Sequence, residues 1–187
     1  MDLTETTLQE ERIYDGKIIR LRLDEALLPN GRVAKREVVE HNGGVCIAAL
    51  TEEEELLFVR QFRYPYKQVV TELPAGKLEP DEDPLEAGKR ELTEETGASA
   101  AEYYHLGRLY PSPGYCAEII TLYLATGLRF GDRHPDEDEF LDMQRIPLHE
   151  AVTMVRRGDL PDAKTQTAVL KVNEWLRRGR QGLVKAE

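Results

Sequence analysis

Residues 76–98 read GKLEPDEDPLEAGKRELTEETGA, a stretch that carries a helix together with its start and stop signals. Asp83 is a good N-cap, Pro84 takes the first helical position, and Glu86 completes a D-x-x-E capping box. Gly97 supplies the C-terminal stop, because glycine enters the left-handed conformation without steric cost. The pattern predicts a helix over 84–96. At about 100° per residue, Leu85, Gly88, Leu92 and Thr96 share the side that packs on a sheet. Glu91, Glu94 and Glu95 share a neighbouring arc roughly 100° wide, since spacings of three and four bring side chains together. Arg90 lies at the edge of that arc. On the wheel alone the glutamates read as a solvated face. A hard divalent cation with oxygen ligands, however, would reverse the sign of their mutual repulsion.

Working outward, the chain alternates strand-like and helical segments. Residues 16–41 read as strands around PNGR, where Asn30-Gly31 predicts a type I′ hairpin turn. GVCIAAL (44–50) and ELLFVRQFR (55–63) are apolar runs of strand length flanking an acidic turn at 52–55 that reads as a solvated loop. Further strands are expected around 103–109, 118–125 and 141–146. The turn-rich PSPGYC and the acidic GDRHPDEDEF lie between them. Two helices follow, near 148–157 and 163–178. In the second, Val169, Val172, Trp175 and Leu176 recur at three- and four-residue steps, which describes a core-facing stripe. Strands interleaved irregularly with a few helices predict a mixed α/β (α+β) sandwich rather than a doubly wound parallel sheet.

The 187 residues suit one domain with a smaller appended element. Apolar residues make up 41% and charged residues 32%, ordinary for a globular protein. The net charge of −10 argues against nucleic acid as a partner, since phosphate backbones are bound by basic surfaces. A phosphate-bearing small molecule remains compatible if cations bridge it to the protein. No run reaches the roughly 18 apolar residues of a membrane span, and the acidic MDLTETTLQEER lacks the character of a secretory leader. A cytoplasmic address is expected. Cys46 and Cys116 read as reduced thiols, and the four histidines show no metal-ligand spacing.

From Gly76 the chain reads G-x5-E-x7-R-E-L-x-E-E-x-G-A, with Glu82, Arg90, Glu91, Leu92, Glu94, Glu95, Gly97 and Ala98 in register. Composition alone would produce this by chance with odds on the order of one in 10⁵. The pattern resembles the complete signature of the Nudix hydrolases, which cleave nucleoside diphosphates linked to another moiety. E-x-P-A-G leading into it (Glu72, Pro74, Ala75, Gly76) resembles the ADP-ribose pyrophosphatase branch. So do Pro113, 16 residues after Gly97, the pair RQFR and the loop HPDEDEFL.

That resemblance implies a Nudix-type α/β/α sandwich with a mixed sheet over 43–187. It also implies a small N-terminal β-element over 1–42, used for dimerisation and base recognition. It implies Glu91, Glu95 and the Ala75 carbonyl as ligands of two or three Mg²⁺ ions, with Mn²⁺ as a substitute, and Glu94 alongside in catalysis. Gly76, Glu82, Arg90 and Gly97 are implied as structural members of the signature. In the acidic loop, Glu137 is the implied base and Glu139 a further ligand, or the two roles exchange; the plain alternative is a solvated acidic loop. Arg63, with Arg60 beside it, is implied to contact the substrate diphosphate. Glu37 and Ile18 are implied to meet adenine, although Ile18 also reads as a strand core residue. Pro113 marks the substrate branch. Glu118 either touches the terminal ribose or caps its loop.

The function implied is Mg²⁺-dependent hydrolysis of ADP-ribose to AMP and ribose 5-phosphate by a homodimer with exchanged N-terminal strands. Alternatives are another nucleoside diphosphate sugar such as GDP-mannose, or NADH. From another class comes a non-catalytic Nudix domain that senses a nucleotide. Retention of every glutamate in the signature weighs against the sensor.

Overall fold

The computed structural model describes residues 2–133 and 140–186. They fall into two compact units, Met1–Gly43 with Tyr110–Ile119, and Gly44–Leu109 with Ile120–Glu187. The segment 110–119 joins the first unit through backbone bonds from Val39 N to the Tyr115 carbonyl (2.8 Å) and from Ala117 N to the Val39 carbonyl (2.9 Å).

The first unit is an antiparallel sheet of β1 (Thr6–Asp15), β2 (Arg20–Leu27) and β3 (Val33–Glu40), in that order. Strand β1 is not among the strands read from the residue pattern, which begin at residue 16; it falls within the β-element over 1–42 that the resemblance implies. Cross-strand charges hold it: Arg12 and Arg22 both reach Glu40, and Glu5 accepts two hydrogen bonds from Arg36 at 2.8 and 2.9 Å. Opposite charges facing each other across a sheet are stabilising, and a propensity scale does not register them. The β2–β3 turn also differs from expectation. Only Gly31 has positive φ (+80°), Gly31 N donates to the Leu28 carbonyl, and Leu28 N donates to the Arg32 carbonyl. Pro29 presets the φ of a type I turn, and Gly31 then takes the left-handed position of a three-residue loop.

The second unit holds a five-stranded sheet in the order β11-β8-β9-β4-β7. Its strands are β4 (Gly44–Ala49), β7 (Ala75–Lys77), β8 (Ala98–Leu109), β9 (Ile120–Phe130) and β11 (Val184–Lys185). A second sheet, β10-β5-β6, is formed by β5 (Glu55–Arg63), β6 (Gln68–Glu72) and β10 (Asp142–Pro147). Among the described strands of this unit, only β4 and β9 run parallel; the other pairs are antiparallel. The helices are α1 (Pro84–Thr96), α2 (Leu148–Arg157) and α3 (Ala163–Arg177).

Strand β4 is buried along its whole length, which accounts for its unbroken apolar run. Val45, Ile47 and Ala49 share a core with Leu85, Ala87 and Leu92 of α1. Cys46 and Ala48 share the other core with Ala151 of α2 and Val169, Val172 and Trp175 of α3. A mixed sheet with helices on both faces is thus the α/β/α sandwich expected. Among the described residues no helix is long and apolar enough to cross a membrane.

Helix α1 runs between the predicted limits. Asp83 accepts from the N–H groups of Leu85 (2.9 Å) and Glu86 (3.2 Å), and Gly97 ends the helix at φ +70°. Glu86 does not close the capping box; its carboxylate accepts from Lys89 at 2.6 Å. A lysine one turn ahead offers a charge-assisted bond in place of a neutral backbone donor.

Candidate active site

Helix α1 sets its glutamates over the short strand β7. Glu91 and Glu95 are 8% and 3% exposed, so the arc that the wheel left beside the packing face is partly inside it. Glu95 Oε2 accepts from Ala75 N at 3.1 Å. A Cβ added at Gly76 would lie 1.9 Å from Glu91 Oε1, so only glycine leaves that carboxylate its place. Two buried carboxylates one helical turn apart therefore stand over two consecutive residues of β7.

Arg90 gathers the remaining acids. Its Nη1 donates to Glu91 Oε1 (2.8 Å) and Glu94 Oε2 (2.9 Å), while Nε and Nη2 reach Glu82 at 3.1 and 3.2 Å. Glu82 in turn accepts from Glu79 N at 2.9 Å, which ties the loop before the helix to the helix itself. The Arg90 hydrogen bonds hold the Glu82 carboxyl below its usual range. Arg90 itself is held well above its usual value, chiefly by its bonds to Glu82, against the opposing effect of burial.

Gly97 carries the contact that begins the acidic segment. Gly131 N donates to the Gly97 carbonyl at 2.8 Å, and a Cβ at Gly97 would strike the Gly131 carbonyl at 2.5 Å. Beyond it, Arg133 Nη2 donates to the Leu141 carbonyl at 3.3 Å. Glu137 and Glu139 lie outside the described residues.

A second charged group sits beside this one; of its members sequence reasoning gave a role only to Arg63 and noted Glu72 only as part of E-x-P-A-G. Arg63, at the end of β5, makes two bonds to the Glu72 carboxylate, 2.6 Å from Nε and 2.8 Å from Nη2. Lys164 Nζ also reaches Glu72, and it donates to Asp162 Oδ1 at 3.0 Å. The Glu95 charge also acts on Arg63. Glu72 and Lys164 are 2% and 9% exposed. One signal was available in the sequence: a lysine in the first turn of α3 opposes the helix dipole, which favours cations at the other end. Arg60 points elsewhere, to Asp142 at 3.4 Å on the exposed side of β5.

Asp162 caps α3 by accepting from Thr165 N at 2.9 Å. Burial raises its carboxyl, but the Lys164 charge and the Thr165 bonds outweigh this and leave it below the usual value of 3.8. A group depressed on folding contributes stability above its unfolded pKa and loses it as pH falls through the folded value. The stability gap between the wild type and Asp162→Asn should therefore be full near pH 6 and close as pH drops below about 3.8. Melting temperatures measured from pH 6 to pH 3 check this.

In the first unit, Ile18 lies in the bend between β1 and β2, 51% exposed, and so is not a strand core residue. Glu37 and Pro113 line one cavity of about 260 Å³, together with Asp24, Arg36 and Tyr115. Glu118 Oε1 stands 3.7 Å from His41 Nδ1.

Among the described residues no three His, Cys, Asp or Glu side chains are grouped as a ready metal cage. Glu91 and Glu94 are turned to Arg90, and Glu95 to a backbone N–H. The donors at this place are nevertheless all oxygen, two of them buried carboxylates, and glycine keeps the approach open. Such a set suits a hard cation such as Mg²⁺ better than zinc or copper, which favour nitrogen and sulfur donors.

Comparison with known proteins agrees with this geometry. Residues 40–168 match the family described as NUDIX domain, and residues 5–39 match the nucleoside diphosphate sugar hydrolase N-terminal domain. An ADP-ribose pyrophosphatase of Bacillus subtilis (strain 168) is 40% identical over 169 residues, 89% of this chain and 91% of that protein. A methanol dehydrogenase activator of Bacillus methanolicus is 40% identical over 177 residues, 92% of this chain and 96% of that one. A crystal structure of an ADP compounds hydrolase shares the fold, with a TM-score of 0.84 at 24% identity, over 97% of this chain and 100% of that one. Matched over most of its length, and carrying the signature on a helix that buries Glu91 and Glu95 against β7, the chain belongs to the Nudix hydrolase family.

Proposed function

We propose that this enzyme hydrolyses ADP-ribose to AMP and ribose 5-phosphate. The observation that carries the reading is the intact signature with Glu91 and Glu95 buried over Ala75 and Gly76. It stands in a chain 40% identical to an ADP-ribose pyrophosphatase across 89% of its length. Glu91, Glu95 and the Ala75 carbonyl hold divalent cations, with Glu94 alongside and Glu139 as a further ligand. Two or three Mg²⁺ ions are expected, replaceable by Mn²⁺. When bound, such cations neutralise the diphosphate and acidify a coordinated water.

The chain's own groups do the rest. Arg63 holds the diphosphate, while Arg60, the weaker candidate, is turned to Asp142 on the exposed side of β5. Glu137, or Glu139 if the two exchange roles, takes the proton as the water oxygen bonds to phosphorus and the bridging P–O bond breaks. Glu37 and Ile18 meet the adenine, and Glu118 the terminal ribose. The first unit also serves to dimerise the protein by exchange of N-terminal strands. The ten residues of β1 are all exposed, and Leu8 and Ile13 are each more than half exposed, which supports a partner on that sheet.

The test is a hydrolysis panel of ADP-ribose, GDP-mannose and NADH with Mg²⁺, with products separated by chromatography. AMP and ribose 5-phosphate from ADP-ribose, lost when the metal is chelated, are expected. Preference for another member of the panel would overturn the substrate assignment. Turnover of none would overturn the enzymatic reading.

A further inference from the structure

We propose that Lys164, in the first turn of α3, is a positioning residue for Arg63, acting through the Glu72 carboxylate. The inference rests on the reading of Arg63 as a diphosphate contact. It adds a residue remote in sequence from the signature and from every residue to which that reading gives a role.

The argument is one of charge and exposure. Glu72 is 2% exposed, and both of its oxygens are engaged: Oε1 by Arg63 Nε, and Oε2 by Arg63 Nη2 and Lys164 Nζ. With Asp162 the cluster holds two carboxylates and two cations, so it is neutral as a whole. Arg63 is the member that looks outward: its side chain is 39% exposed, against 10% for Lys164 and 2% for Glu72. A guanidinium has five N–H donors in a rigid fork. Glu72 takes one edge of that fork and sets its plane, leaving the other donors for a diphosphate.

Lys164 makes this arrangement possible. Without its charge, the buried Glu72 and the part-buried Asp162 would face Arg63 as the remaining cation of the cluster, and an uncompensated buried carboxylate is costly. The guanidinium would be drawn inward to cover both and withdrawn from the diphosphate. The same helical turn also holds the strand: Thr165 Oγ1 accepts from Leu73 N at 2.9 Å, the residue next to Glu72. The first turn of α3 thus sets both the charge and the register of the strand that carries Arg63's partner.

A double-mutant cycle tests this with Lys164→Met, Arg63→Ala and the double variant, measuring kcat and KM for ADP-ribose hydrolysis. Melting curves check that each variant is folded. Lys164→Met should raise KM about tenfold with kcat changed by less than about threefold, and should add nothing in the Arg63→Ala background. Lys164→Arg should recover most of the loss. Effects that multiply in the double variant would show Lys164 to be merely structural and overturn the proposal. If Lys164→Met does not fold, Glu72→Gln goes through the same cycle with the same criteria.

If Arg63→Ala itself leaves both constants unchanged, or if ADP-ribose is not turned over, it is the substrate reading of Arg63 that fails. The clamp is then read directly from the Arg63 Nε–H proton signal by NMR, assigned through its loss in Arg63→Ala. Slower exchange in Lys164→Met than in the wild type, as the guanidinium is drawn inward, supports the positioning role. Exchange unaffected by Lys164→Met, or made faster, overturns it.

Discussion

Glu95→Gln is expected to lower kcat/KM for ADP-ribose by roughly three orders of magnitude, about 4 kcal/mol of transition-state stabilisation. The melting temperature should move by no more than about 4 °C, the shift that about 1 kcal/mol produces in a chain of this size. The reason for the split is geometric. Glutamine has the same shape, and its amide oxygen still accepts from Ala75 N, a bond of 3.1 Å in the wild type. What disappears is the negative charge of a side chain only 3% exposed, where water cannot replace it. A buried carboxylate kept for folding would show the opposite pattern, with stability lost and activity reduced in proportion. Steady-state kinetics beside a thermal melt separate the two. Activity within about tenfold of the wild type would remove Glu95 from the metal-holding set.

Gly76→Ala is expected to be nearly as damaging, on the order of a hundredfold in kcat/KM. It works by a different route. The glycine does not occupy the left-handed region, so alanine meets no backbone penalty there. The added methyl would instead lie 1.9 Å from Glu91 Oε1 and 2.0 Å from its carboxyl carbon. That carboxylate is the end of a side chain and can swing aside toward Arg90, its partner at 2.8 Å. Folding should therefore survive, with a modest change in melting temperature, while the carboxylate leaves the place it holds over β7. A variant that unfolds would show that Gly76 is needed by the chain rather than by the site. Full activity would show that Glu91 tolerates displacement and is not a ligand.

Much of this site was legible before any coordinates because its signals are local. The helix bounds came from Asp83, Pro84 and Gly97, each of which acts within one turn of its own position. The core stripe of α3 was readable for the same reason, since a period of 3.6 needs only neighbours along one helix. The failures share the opposite character. The residue pattern alone did not pick out strand β1, because its stabilising partners are arginines and glutamates on other strands. The β2–β3 turn was misassigned because Pro29 was given less weight than the Asn30-Gly31 pair it precedes. Glu86 found a lysine one turn on instead of the cap, a competition between donors that spacing cannot rank.

By itself, then, the sequence determined the register of the signature, the helix that carries it and the all-oxygen character of its donors. These depend on residue identity and on separations of a few positions. Only the tertiary structure decided which glutamates are inside and what Arg63 holds. Glu91 and Glu95 are buried because β7 passes beneath α1, and a helical wheel contains no strand. Glu72 meets Lys164, and Leu73 meets Thr165, across 92 positions of chain. Contacts at that range follow no period, because folding brings them together through the packing of α3 on the sheet and not through any property of the residues between.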